Sequence, residues 1–213
     1  YERLYTGTFY RRFVLGEWAA AQGLVYDFFD PARDAAEVPE GPFSAWRVSV
    51  DYGTVNPLSM GLWGERDGVW YRVEEVYYDS RREGQQKTDA EYADMLERLA
   101  AGREIQRVIV DPSAASFMEA LRQRGWQVVK ADNDVADGIR VTADLLKRRR
   151  IVICGACADC LREMETYCWD DKGRRDAPKK EQDHAMDDLR YFAMDLAAEE
   201  QNGFAATWVE RRA

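Results

Sequence analysis

The chain contains a single histidine and sets it among acids. The stretch QDHAMDDLRYF, residues 182–192, holds Asp183, His184, Asp187 and Asp188. Two further aspartates stand at the ends of strand-like runs: Asp51 in AWRVSVDYG and Asp111 in RVIVDPS, each followed by a chain-reversing residue, Gly53 or Pro112. If those two strands are parallel neighbours, both carboxylates project from the same end of one sheet, and a third from the last helix completes a cluster. Clustered carboxylates repel and stay ionised only beside cations, and hard oxygen donors favour Mg²⁺ or Mn²⁺. Two such ions about 4 Å apart suit in-line attack of water on a phosphodiester, activating the nucleophile and stabilising the leaving oxygen. His184, within one helical turn, is a candidate ligand, proton shuttle or orienting group.

The elements that must hold these residues are legible in the pattern of apolar positions. A helix over residues 182–199 puts Ala185, Leu189, Phe192, Ala193 and Leu196 on one stripe and Asp183, Asp187 and Tyr191 opposite, with Asp188 between the two. Helical geometry does not choose between Asp187 and Asp188. Tyr191 and Met194 make the polar side partly apolar, so the helix is expected to be covered on more than one side, where acids need cations or donors. Residues 45–53, 58–65 and 69–78 read as three strands of an antiparallel meander, with a turn at Arg66-Asp67-Gly68. From Thr88 the period becomes helical, behind a Thr88–Glu91 capping box. A buried strand at 107–113, a helix at 114–124, a strand at 126–131, a helix at 135–148 and a strand at 151–154 follow. The expected fold is therefore α/β, a mixed sheet covered by helices. Residues 1–44 mix aromatics with turn residues and read as an arm or linker; 45–200 form the domain, and 201–213 a tail.

Composition limits the options. With 213 residues, 46% of them hydrophobic, the chain has material for a sizeable core. Its apolar runs are too short for a membrane span, and no secretory leader pattern is present, so a cytosolic protein without a membrane partner is expected. A net charge of −9 argues against holding nucleic acid by bulk attraction. Local basic runs survive at Arg81-Arg82, Lys147 to Arg150, and KGRRDAPKK at 172–180. Cys154, Cys157, Cys160 and Cys168 do not match iron–sulfur or zinc spacing, and Cys157, Cys160, Met164 and Tyr167 follow a helical stripe, so buried free thiols are expected.

Strand-borne and helix-borne acids on an α/β sheet resemble the ribonuclease H-like nucleases. Read in order, VSVDYGTVNP (48–57), VIVDPSAASF (108–117), ETYCWDDKGRRDAPKKEQDHAMDDLRYF (165–192) and the upstream RFVLGEWAAAQGLVYDFF look like the C-terminal nuclease domain of the large terminase subunit of tailed bacteriophages. The likeness runs from about residue 5 to 197. It implies a Mg²⁺- or Mn²⁺-dependent endonuclease that cuts concatemeric viral DNA at the start and end of packaging, largely without regard to sequence. It also implies a metal-binding triad of Asp51, Asp111 and Asp187, with His184 beside the metal. The His-x-x-Asp spacing selects Asp187, and the chain departs from the family in carrying Asp188 where a small residue is usual. Asp183 is then a capping residue or sits behind the ligands. Residues 168–181 resemble a β-hairpin beside the active site, whose Lys172, Arg174, Arg175, Lys179 and Lys180 would contact the DNA backbone.

No G-x-x-x-x-G-K-[ST] loop occurs in the chain, so no nucleotide site is expected here. The resemblance assigns ATP-driven translocation to an N-terminal motor domain of the same polypeptide, with 1–44 leaving it, and implies a portal protein and a small terminase subunit as partners in the host-cell cytoplasm. Two other readings stay open: a resolvase-type nuclease, revealed by preference for branched DNA, and a non-cleaving docking module of a packaging motor.

Overall fold

The computed structural model describes residues 23–170 and 177–210, with backbone alone for 202–210. Six strands form one mixed sheet: β1 (Ala45–Asp51), β2 (Leu58–Arg66), β3 (Val69–Tyr78), β4 (Ile105–Val110), β5 (Val128–Lys130) and β6 (Ile151–Ile153), in the order β5-β4-β1-β2-β3-β6. The first three make the expected meander, and β2 turns into β3 through Asp67 and Gly68, both at positive φ, as a tight hairpin requires. β4 lies parallel to β1, β5 to β4, and β6 to β3. Helices flank this sheet, which is the ribonuclease H-like arrangement.

Among the described residues the helices, in chain order, are α1 (Pro31–Asp34), α2 (Ser80–Glu83), α3 (Asp89–Ala100), α4 (Ala115–Gln123), α5 (Val135–Lys147), α6 (Ala158–Thr166) and α7 (His184–Glu210). The Thr88–Glu91 capping box is present at the start of α3. Alternation along β1 and β2 divides the core. Val48, Val50, Met60 and Leu62 pack with Tyr92, Leu96, Phe117 and Leu121 from α3 and α4. Trp63 turns to the other face, where it stacks on Phe192 of α7 with ring centroids 3.9 Å apart, in a cluster that also holds Ile139 of α5. The last helix is therefore a core element seated across the sheet.

Two expectations on extent change. Residues 23–44, expected as part of an arm or linker, pack against the domain, with Val25 and Tyr26 buried, Tyr26 against Tyr167. The Val25 N–H also donates to the Tyr167 carbonyl and the Trp169 N–H to Gly23. Sequence missed this because the segment's apolar residues follow no regular period. The last helix runs on to Glu210, through most of the expected tail. The expected helical stripe through Cys160 and Met164 forms α6, with Cys157 at its N-cap. Cys154, Cys157 and Cys160 are buried free thiols, and burial raises Cys154 to about 11 and Cys157 to about 12. Among the described residues, no helix is long and apolar enough to cross a membrane.

Candidate functional site

The parallel pairing of β1 with β4 brings the two strand-end aspartates together. Val50 is in register with Val110, and the Asp111 N–H donates to the Val50 carbonyl at 3.2 Å, so Asp51 and Asp111 leave neighbouring strands at the same end. The first turn of α7 lies against this end. A polar cleft of about 750 Å³ opens there, lined by Asp51, Asp111, Asp183, His184 and Asp187 together with Arg81, Arg82, Arg162 and Lys180. Carboxyl ends of neighbouring strands are where open α/β sheets bind ligands.

The acids are held individually. Asp51 Oδ2 lies 2.8 Å from His184 Nδ1. Asp111 Oδ1 accepts the Ser113 N–H at 2.8 Å, closing the turn after β4. Asp187 Oδ1 takes the guanidinium of the nearly buried Arg190, one turn along α7. Asp183 precedes α7 and caps it through its carbonyl, which accepts the Asp187 N–H at 2.8 Å.

Electrostatically the cluster is short of positive charge. Burial drives Asp51 up to about 7, with Asp187 and Asp111 pushing the same way against the His184 hydrogen bond. Asp183 is raised by burial and by Asp187. Burial alone would lower His184, but the hydrogen bond and charge of Asp51 outweigh it and raise its pKa. Burial, and after it the charges of Asp51, Asp187 and Asp111, hold the hydroxyl of Tyr191, of the same helix, protonated far above the usual range.

Asp188 has a different place. It is fully buried on the sheet side of α7, where its carboxylate meets the Arg72 guanidinium with both nitrogens, accepts Ser49 Oγ at 2.9 Å, and accepts the Ser59 hydroxyl. A buried ion pair needs this many donors to offset desolvation. Gly61 leaves the space: a Cβ there would strike the Arg72 guanidinium.

Among the described residues, no three of these side chains converge as a ready metal site. The donor chemistry nevertheless fits a hard divalent cation. Carboxylates from three separate elements line one cleft, and each bond above engages one oxygen of its carboxylate, leaving the other to a cation.

The hairpin expected at 168–181 is paired at its base, with Trp169 opposite Pro178 and the Lys179 N–H donating to the Cys168 carbonyl at 2.9 Å. Lys180 lines the cleft and Lys179 is exposed outside it; Lys172, Arg174 and Arg175 fall outside the described residues. Sequence reading did not find the cations of the other wall. Arg162 from α6 lies over the Tyr77 ring and pairs with Asp159, and Arg81 of α2 reaches Asn56 Oδ1 at 3.2 Å. The Arg81-Arg82 run was the available signal. Arg190, three residues after Asp187, was also readable as its partner.

No family model matches the sequence. The large terminase of a thermophilic bacteriophage, solved with ADP, is 45% identical over 91% of this chain and 50% of its own, with a TM-score of 0.85. The large terminase subunit of Escherichia phage T5 is 23% identical over 89% of this chain and 45% of its own. The present chain thus spans about half the length of these proteins. The P22 large terminase nuclease domain superposes over 84% of this chain and 95% of its own, at 16% identity and a TM-score of 0.68. The SPP1 large terminase nuclease domain, solved with bound Mn, does so over 70% and 85%, at 20% and 0.51. The chain is therefore a homologue of the phage large terminases and has the fold of their nuclease domain.

Proposed function

We propose that this chain is the nuclease part of a viral DNA-packaging terminase, a metal-dependent endonuclease that hydrolyses phosphodiester bonds of duplex DNA with little regard to sequence. The observation that carries the reading is the meeting of Asp51, Asp111 and Asp187, from two parallel neighbouring strands and a helix, in one polar cleft. The Mn-bound SPP1 nuclease domain of the same fold supports divalent-metal use.

Asp51, Asp111 and Asp187 would hold Mg²⁺ or Mn²⁺, as two ions. Bound there, the cations would lower the pKa of a water and take up charge on the phosphodiester. His184 turns Nδ1 to Asp51, which fixes its ring and leaves Nε2 to hold or pass a proton on the cleft side. Arg190 orients Asp187 from behind. Arg81, Arg82, Arg162 and Lys180 face the cleft and would meet backbone phosphates, joined by Lys172, Arg174, Arg175 and Lys179 of the hairpin. Such contacts position a duplex without reading its sequence. In an acidic chain they give weak affinity, which tethering to an ATPase motor in the same polypeptide would offset by effective concentration. The whole protein would work with the portal and the small subunit on concatemeric DNA in the host-cell cytoplasm.

The test is conversion of supercoiled plasmid to nicked and linear forms with Mg²⁺, Mn²⁺ or EDTA, for the unsubstituted chain and for Asp51→Asn and Asp111→Asn. Cutting with Mn²⁺ or Mg²⁺ that EDTA and either substitution abolish is expected. Absence of cutting under every metal, or cutting that survives both substitutions, would overturn the proposal.

A further inference from the structure

A carboxylate that neither lines the cleft nor was singled out in the sequence lies directly behind it. Glu163 of α6 is fully buried, where a carboxylate is costly unless every oxygen finds a donor. Its Oε2 accepts the Ala185 N–H at 2.7 Å, with the Met186 N–H also turned to it, and its Oε1 accepts the Tyr77 hydroxyl at 2.7 Å. Ala185 is the residue between His184 and Met186 in the first turn of α7, whose free N–H groups favour a negative partner.

The same device occurs one helix earlier. Glu75 of β3 accepts the Asp159 N–H at 2.7 Å at the start of α6, and also holds Arg72 Nη2 at 3.2 Å. Arg72 in turn grips Asp188 of α7. The contacts close a circuit: β3 holds the start of α6, α6 holds the start of α7, and α7 returns to β3. Asp188 and the ion pairs of Asp195 and Glu199 hold α7 beyond its first turn. The Glu163 contact holds the first turn itself, adjacent to the residues that face the cleft.

We propose that Glu163 is a positioning residue: held by the Tyr77 hydroxyl, it fixes the first turn of α7 and thereby sets His184 against Asp51 and Asp187 towards the cleft. Its kinetic consequence rests on the nuclease reading above, whereas its geometric consequence does not. Outer partners that orient site residues typically change activity by 10 to 100-fold when lost.

The experiment uses Glu163→Ala, Glu163→Gln and Tyr77→Phe. Because the chain has one histidine, the imidazole ¹⁵N signals report His184 alone and give a readout independent of cleavage. In Glu163→Ala those signals are expected to move away from the unsubstituted position, and Mn²⁺-supported turnover to fall about 10-fold with KM for duplex DNA unchanged. Glu163→Gln, which keeps an acceptor for the Ala185 N–H, is expected to restore most of both. Tyr77→Phe gives a smaller change in the same direction, and decides the matter if Glu163→Ala does not fold. Unchanged His184 signals in a folded Glu163→Ala or Tyr77→Phe chain would overturn the proposal, as would equal losses in Ala and Gln that merely follow the melting temperature. If the unsubstituted chain does not cut DNA, the nuclease reading fails while the His184 signals still decide this one.

Discussion

Asp187 and Asp188 are adjacent in the chain and face different sides of α7. Asp187 lines the cleft with its carboxylate on Arg190, while Asp188 is sealed against the sheet on Arg72, Ser49 and Ser59. One successive pair of acids thus divides between the cleft and the core, and the consequences separate cleanly.

The same substitution at the two positions should give different results. Asp188→Asn removes the charge that compensates a buried guanidinium and should cost about 3–5 kcal/mol of stability, read by urea unfolding. Asp187→Asn takes the carboxylate from the nearly buried Arg190, but at the partly exposed mouth of the cleft, so it should cost less, about 1–2 kcal/mol, while abolishing plasmid cleavage. Equal stability of the two variants would contradict the placement of Asp188.

Asp51 sets a pH dependence. Its native pKa, about 7, lies above the ordinary 3.8, so folding favours the protonated form. The sign follows: the stabilising contribution is complete below about pH 4 and is lost as pH rises through about 7. Without metal, the melting temperature should fall across that window, and Asp51→Asn should flatten the fall. Binding of Mn²⁺ needs the ionised form, so its affinity, measured by calorimetry, should rise by about 10-fold per pH unit towards 7 and release a proton. A pH-independent affinity between 5.5 and 7 would contradict this.

Much of this site was legible because its signals are local. Asp51 and Asp111 each close an apolar strand before a turn, and parallel pairing of β1 with β4 turns two separate observations into one cluster. The amphipathic pattern of 182–199 placed α7, but Asp187 and Asp188 are 100° apart on it, and only packing decides which faces the sheet. Glu163, Glu75 and Arg72 were invisible for a related reason: a charged residue in a helix or strand reads as solvated surface, and its burial depends on partners more than 20 residues away, Ala185 for Glu163 and Asp188 for Arg72. Gly61 likewise shows no reason for being glycine until Arg72 is seen against it.

Gly61→Ala is the steric counterpart. The added methyl must displace the Arg72 guanidinium from a fully buried position, so stability should drop by about 1–3 kcal/mol in thermal unfolding. Ala at Gly68, which lies at φ 80 with open space around its Cα, should cost about 1 kcal/mol through backbone strain alone. A Gly61→Ala chain as stable as the unsubstituted one would show that Arg72 has room to move.

The cationic wall makes a prediction about salt. Replacing both Arg81 and Arg82 by Ala should lower the slope of log affinity against log salt for a duplex by about 2, close to 0.9 per lost phosphate contact. Fluorescence anisotropy with Ca²⁺ in place of Mn²⁺ reads this without cleavage. An unchanged slope would remove these arginines from the DNA path.

The most direct measurement of the central claim is anomalous scattering from crystals grown with Mn²⁺. The account predicts manganese peaks about 2.1 Å from carboxylate oxygens of Asp51, Asp111 and Asp187, and none at Asp188. Manganese bound elsewhere, or not bound at all by a chain that still cuts DNA, would contradict it.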